Sequence, residues 1–158
     1  MSVAPPSAAR TLLELPSDPR RVGHDWLGTL AEVPLFEGLS KRHLRRIAKL
    51  ARIRRFADGA AMVRVGDAGR TFYVLLDGNA KVTRPGRRPV RLGPGAFFGE
   101  MALLDDSPRS ADVVADGEVL ALTIDRPGFT KLLRSEPPLS QALLRTLAAR
   151  LRAAEATE

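Results

Sequence analysis

Residues 95–114 read G-A-F-F-G-E-M-A-L-L-D-D-S-P-R-S-A-D-V-V, and they set Glu100 and Arg109 among apolar neighbours. An ionised carboxylate only accepts hydrogen bonds, so Glu100 calls for a donor such as a sugar hydroxyl. The Arg109 guanidinium is a planar fork that can hold two phosphate oxygens at once. Ser110 adds a hydroxyl beside it. Gly99 lets the backbone turn tightly and lets a ligand approach closely. Residues 100–104 read as one helical turn or slightly more, whose first amides point outward, unpaired, and favour an anion. An anion site beside an acceptor for a hydroxyl fits a sugar phosphate or a nucleotide.

The same residues have a plainer reading. Arg109 near Asp105 and Asp106 makes a structural ion pair that holds the loop. A Glu that opens a helical turn complements the helix dipole. Taken singly each residue fits a structural role; taken together, at this spacing, they fit a ligand.

The run F-G-E-M-A-L-L-D-D-S-P-R-S-A resembles the phosphate-binding cassette of cyclic nucleotide-binding domains, and is especially similar to the form in regulatory subunits of the cyclic-AMP-dependent kinase. The resemblance covers roughly residues 33–151. It implies that Glu100 accepts from the ribose 2′-hydroxyl and that Arg109 pairs with the cyclic phosphate. It implies that backbone amides of Gly99, Glu100, Met101 and Ala102, with the Ser110 hydroxyl, complete the cradle. Ala111 takes the place of a small residue beside the Arg, and Gly66 and Gly78 fall where the family has turn glycines. The implied ligand is cyclic AMP, with cyclic GMP the alternative, because a hydroxyl residue at the Ser110 position accompanies either. Arg145, Thr146 and Arg150 are candidate base contacts, and the last helix offers no aromatic lid. No further cofactor and no metal are implied.

The elements that must position these residues follow from pattern. Trp26, Leu27 and Leu30 suit a short helix packed on the next unit. Pro34-Leu35-Phe36 gives a turn with two large anchors. Ser40 is a good N-cap for a helix over residues 41–51, whose apolar positions are Leu44, Ile47, Ala48 and Ala51. That lead-in also resembles the family. Short strands then alternate with turn signals: 52–56, 61–65, 72–76, 80–84 and 89–92, separated by Asp58-Gly59, Gly66 to Gly69, Asp77-Gly78-Asn79 and Pro85-Gly86. After the cassette, 110–115 turns at Asp116-Gly117 into 119–124. The expected fold is mainly β, a jelly-roll or β-roll barrel with N-terminal and C-terminal helices. Alternate residues line such an interior, and Val63, Val82, Val90 and Leu92 are candidates for the ligand's apolar side. Asp125 caps a helix with Pro127 in its first turn, ended by Pro137-Pro138. A last helix over 139–154 carries Leu143, Leu144, Leu147 and Leu151. The resemblance implies that it moves over the nucleotide and can form a homodimer seam; the plain alternative is that its stripe packs on the chain's own barrel.

The chain has 158 residues, is 44% hydrophobic and contains no cysteine. That fits one domain with a real core, and it excludes a disulfide scaffold, a cysteine zinc site and a thiol nucleophile. No apolar run is long enough to span a bilayer and no signal-peptide core is present, so a cytoplasmic protein without a membrane anchor is expected. Domain organisation reads as a flexible arm over 1–22, a helical lead-in over 23–51, a β-roll over 52–125 and C-terminal helices over 126–158. The net charge is +7, and arginines far outnumber lysines, as a GC-rich genome would also give. Lys41, Arg42, Arg45, Arg46, Lys49, Arg52, Arg54 and Arg55 form a run without acids. It reads as the solvated face of an amphipathic helix, or else as a patch for nucleic acid or an acidic protein. No helix-turn-helix follows residue 158, so DNA binding of that kind is not expected. No catalytic constellation, Walker-type loop or metal-ligand spacing appears, so an enzyme is not expected. The expected function is a cyclic nucleotide-binding regulatory domain acting on an effector protein. The alternative is the same fold with a lost ligand site, working as a basic nucleic-acid- or protein-interaction module.

Overall fold

Two long strands carry the sheet: β4 (Thr71–Thr83) and β7 (Asp112–Asp125) pair antiparallel along most of their lengths. The computed structural model describes residues 12–14 and 26–156. Around the central pair lie β1 (Leu12–Glu14), β2 (Ala51–Phe56), β3 (Ala61–Val63), β5 (Val90–Leu92) and β6 (Phe97–Phe98). The strand order is β1-β2-β7-β4-β5, with β3 added to β7 and β6 to β4. The sheet is not closed into a barrel. It is a β-roll, the open one of the two expected forms. The arm expected over 1–22 lies outside the described residues except for β1, which pairs with β2 and was not foreseen. The side chain of Trp26, expected to pack on the next unit, also lies outside what is described.

Among the described residues, five α-helices flank the roll: α1 (Trp26–Ala31), α2 (Lys41–Leu50), α3 (Glu100–Asp105), α4 (Arg126–Ser135) and α5 (Pro137–Ala156). Ser40 caps α2 by accepting from the His43 amide at 3.3 Å, and His43 Nδ1 accepts from the Ser40 amide in return. Asp125 caps α4 by accepting from the Gly128 amide. The last helix starts at Pro137 rather than at residue 139. A proline in a first helical turn gives up only an amide that would be unpaired anyway.

Alternation along the strands splits the core in two. Phe72 and Val74 face the helices, packing with Leu44, Ile47, Phe129 and Leu143. Tyr73, Leu75 and Val82 face the inside of the roll, with Met62, Phe98 and Val113. On β7, Leu122 and Ile124 join the first set, and Val119 and Ala121 the second.

Two expected hairpin turns are not turns. Asp77-Gly78-Asn79 and Asp116-Gly117 lie inside β4 and β7, where the register shifts and both strands bulge. A glycine-led bulge uses the same left-handed backbone as a tight turn, and Gly78 and Gly117 both have φ of 84°. A Cβ on Gly78 would stand 2.2 Å from the Glu118 carbonyl oxygen. The bulge thus bends the two longest strands together and curves the roll over its inner face.

Glu136, only 1% exposed, sits between α4 and α5. Arg46 Nη1 donates to its Oε1 at 2.9 Å, and His43 Nε2 lies 3.2 Å from Oε2. Leu139 and Ser140 donate their amides to its carbonyl. One buried carboxylate therefore ties α2 to the joint of the C-terminal helices. His43, for which the sequence indicated no role, serves both the α2 cap and this contact. The other basic side chains of α2, Lys41, Arg42, Arg45 and Lys49, are exposed.

The Gly78→Ala variant is expected to lose at least about 2 kcal/mol of stability, from left-handed strain plus the clash with Glu118. A urea denaturation midpoint equal to that of the parent chain would contradict this account of the bulge.

Candidate functional site

Thr71 opens β4, Gly99 joins β6 to α3, and these two backbone positions hold Arg109. Its Nη1 donates to the Gly99 carbonyl at 2.8 Å and its Nη2 to the Thr71 carbonyl at 2.7 Å. Gly99 has φ of 92°, and a Cβ there would stand 2.7 Å from the Thr71 oxygen and 3.0 Å from Arg109 Nη1. Only glycine lets the cassette close this tightly. The Arg109 backbone is pinned as well: its amide donates to the Asp67 carbonyl, and its carbonyl accepts from the Gly66 amide, both at 2.8 Å.

Arg109 is 8% exposed. Burial lowers its pKa, with the charge of Arg126 pushing the same way and Tyr73 and Glu100 opposing; an arginine nonetheless stays protonated. The plainer reading, an ion pair with Asp105 or Asp106, does not hold. Asp106 pairs with Arg126. Asp105 accepts from the amide and the hydroxyl of Ser107, bonds that lower its pKa. Arg109 makes no ion pair among the described residues, and its two hydrogen bonds to neutral carbonyls leave its charge uncancelled.

Arg126 was not singled out from the sequence. Its Nη2 donates to the Gly69 carbonyl at 2.8 Å and to the Ala102 carbonyl at 3.2 Å. With the Asp106 pair, this clamps α3 to the first turn of α4.

Glu100 is 3% exposed. Its Oε1 accepts from Arg150 Nη1 at 3.0 Å. The other guanidinium nitrogen of Arg150 donates to the Phe97 carbonyl at 3.1 Å, and its carbon lies 4.3 Å from the centre of the Phe97 ring. Arg150 therefore brings α5 down onto the cassette. Burial raises the Glu100 pKa; its own backbone amide, then Arg150 and Arg109, work against that rise.

These groups bound a cavity of about 600 Å³. Gly99, Glu100, Met101, Ala102, Arg109, Ser110 and Ala111 form its cassette side, and Val63, Val82, Val90 and Leu92 its strand side. These eleven residues singled out from the sequence thus stand in the wall of one cavity. Arg150 lines it too, whereas the other two candidate base contacts, Arg145 and Thr146, do not appear in its wall. The third side is α5, through Leu147, Leu151 and Ala154, with Arg84 just past the end of β4. Arg84 carried no signal in the sequence, because it sits in a run of charged and turn residues at a hairpin tip. No group of three metal-ligating side chains occurs among the described residues. None of their helices is long and apolar enough to cross a membrane.

The site is thus an apolar cavity in an open β-roll with a buried guanidinium in its wall. Residues 53–136 match the family model described as cyclic nucleotide-binding domain. The chain belongs to that family. It is 38% identical over 117 residues to a cyclic nucleotide-gated potassium channel of Mesorhizobium japonicum, an alignment covering 74% of this chain and 32% of the channel. It is 35% identical over 126 residues to a cAMP-dependent protein kinase regulatory subunit of Colletotrichum orbiculare, covering 78% of this chain and 32% of that one. The chain thus spans about a third of the length of these curated relatives. Among solved structures it is similar to the regulatory domain of Toxoplasma gondii PKA with cAMP, at 30% identity and a TM-score of 0.68, covering 79% of this chain and 49% of that one.

The raised pKa of Glu100 has a sign that can be measured. The folded chain holds this proton more tightly than the unfolded chain, whose carboxyl titrates near the ordinary 4.5. Stability therefore falls as pH rises from that value through the raised one. Glu100→Gln removes the ionisable group. The melting temperature of this variant minus that of the parent is expected to grow with pH across that window and then level off. A difference that does not vary with pH would contradict the assignment.

Proposed function

We propose that this chain is a cyclic nucleotide sensor, with cyclic AMP as its ligand and the cyclic phosphate seated on Arg109. The observation that carries the reading is the buried Arg109 guanidinium, which faces the cavity without a carboxylate partner. Burying an uncompensated cation is unfavourable unless something anionic completes it. The free N–H groups of Arg109 and the Ser110 hydroxyl suit phosphate oxygens. Glu100 suits a ribose hydroxyl, and the valine and leucine wall suits the face of a purine. Phosphate and sugar are the same in cyclic GMP, which is the second ligand the site admits.

On this reading the signal is a population shift, and a ligand supplies it only by its differential affinity for two arrangements. A ribose hydroxyl on Glu100 competes with Arg150, so ligand binding changes what holds α5 to the cassette. The effector is a protein that distinguishes the two placements of α5, or a second copy of the chain meeting it along that helix. Leu144 and Leu151 are exposed there. The chain carries out no reaction of its own and works in the cytoplasm.

Isothermal titration of the purified chain with cyclic AMP tests the reading. Saturable binding near one ligand per chain is expected. Arg109→Ala should lose on the order of 2–5 kcal/mol of binding free energy. Arg109→Lys, which keeps the charge and loses the fork, should bind weakly while its circular dichroism and melt remain those of a folded chain. Parental affinity in a folded Arg109→Lys or Arg109→Ala chain would overturn the reading.

A further inference from the structure

Three guanidinium groups line the cavity, and only one of them has nothing to do. Arg109 is engaged with Gly99 and Thr71. Arg150 is engaged with Glu100 and Phe97. The Arg84 side chain makes no hydrogen bond or ion pair among the described residues. It stands just past the end of β4, two residues beyond Val82, and so on the same face of that strand. Val82 lies opposite Val90 on β5 and Val113 on β7, and all three line the cavity. Arg84 itself is exposed, at the rim, where its carbonyl accepts from the Arg87 amide in the hairpin turn.

The cavity therefore has an order along its strand side. A buried cation lies on the cassette, an apolar strip follows, and an unspent guanidinium closes the rim. A flat ring lying against Val82 and Val90, with Leu147 and Leu151 on its other side, turns its edge toward that rim. We propose that Arg84 is a base-reading residue that favours guanine over adenine in the bound nucleotide, an inference that rests on the cyclic nucleotide reading above.

The chemistry of the two purine edges makes the difference. Guanine presents two adjacent acceptors, O6 and N7, which a guanidinium fork can engage together. Adenine presents N7 beside the N6 amino donor. A group with five donors and no acceptor bonds such an edge once and faces a donor with the rest. The phosphate and sugar contacts of Arg109 and Glu100 do not distinguish the bases, so Arg84 shifts the ratio of the two affinities. Its charge also attracts any anionic ligand, but equally for both nucleotides and in a way that salt screens.

The test is titration of the full chain, Arg84→Ala and Arg84→Lys with cyclic AMP, cyclic GMP and cyclic IMP at about 0.15 M salt. Cyclic IMP keeps O6 and N7 and lacks the 2-amino group, so it isolates the contribution of those two acceptors. Arg84→Ala is expected to raise Kd for cyclic GMP and cyclic IMP about tenfold, and for cyclic AMP less than about twofold. Arg84→Lys is expected to recover only part of the loss, because it restores charge without the fork. An equal loss for all three nucleotides would overturn base reading and leave Arg84 a general attractor. Unchanged affinities would overturn any role for it. A parent chain that binds none of the three would instead remove the cyclic nucleotide reading, and this inference with it.

Discussion

Arg109 is a buried cation that makes no ion pair among the described residues. Its guanidinium rests on two carbonyl oxygens, which fix its plane without cancelling its charge. Most of the local structure follows from that arrangement. Gly99 has no side chain because a Cβ would strike both the Thr71 carbonyl and the guanidinium. The loop before β4 exchanges two backbone hydrogen bonds with Arg109 itself. Asp105 and Asp106, the acids that precede it in the cassette loop, are engaged by Ser107 and Arg126. Had either paired with Arg109, the cavity would present a neutral floor. The guanidinium instead stands in the cavity wall without an ion pair among the described residues.

The second relation is between the cassette and the last helix. Glu100 and Arg150 join them in one ion pair over the cavity, and Phe97 supports the arginine through its ring and its carbonyl. At its other end α5 starts beside Glu136, which Arg46 and His43 hold against α2. The helix is thus fastened at a joint and again at the site, with its leucines forming one wall between. Arg126 adds a second link, from the carbonyls of Gly69 and Ala102 to the start of α4.

The cassette was legible because its chemistry is local. Gly99, Glu100, Arg109 and Ser110 lie close enough in the chain that one loop brings them together, and the motif is long. The valines and leucines of the cavity were legible through strand alternation. The partners that cross the fold were not. Arg126, Glu136 and the Glu100–Arg150 pair depend on which helix face packs where, and no spacing rule encodes that. His43 shows the same limit, since the carboxylate it lies against is in a distant helix joint. The two misread hairpin turns failed for a different reason. An Asp-Gly or Gly-Asn step states only that the backbone turns left-handed, and a bulge inside a long strand asks for the same conformation as a turn between two short ones. Length of pairing decided between them, and pairing is a property of the whole sheet.

The central claim is that a cyclic nucleotide occupies the cavity with its phosphate on Arg109. Nuclear magnetic resonance of the isotopically labelled chain, titrated with cyclic AMP, addresses it residue by residue. The account predicts amide shifts concentrated at Gly99 to Ala102, at Arg109 to Ala111 and along α5, with the exposed basic face of α2 quiet. Shifts confined to Lys41, Arg42, Arg45 and Lys49, or their complete absence at saturating ligand, would contradict it.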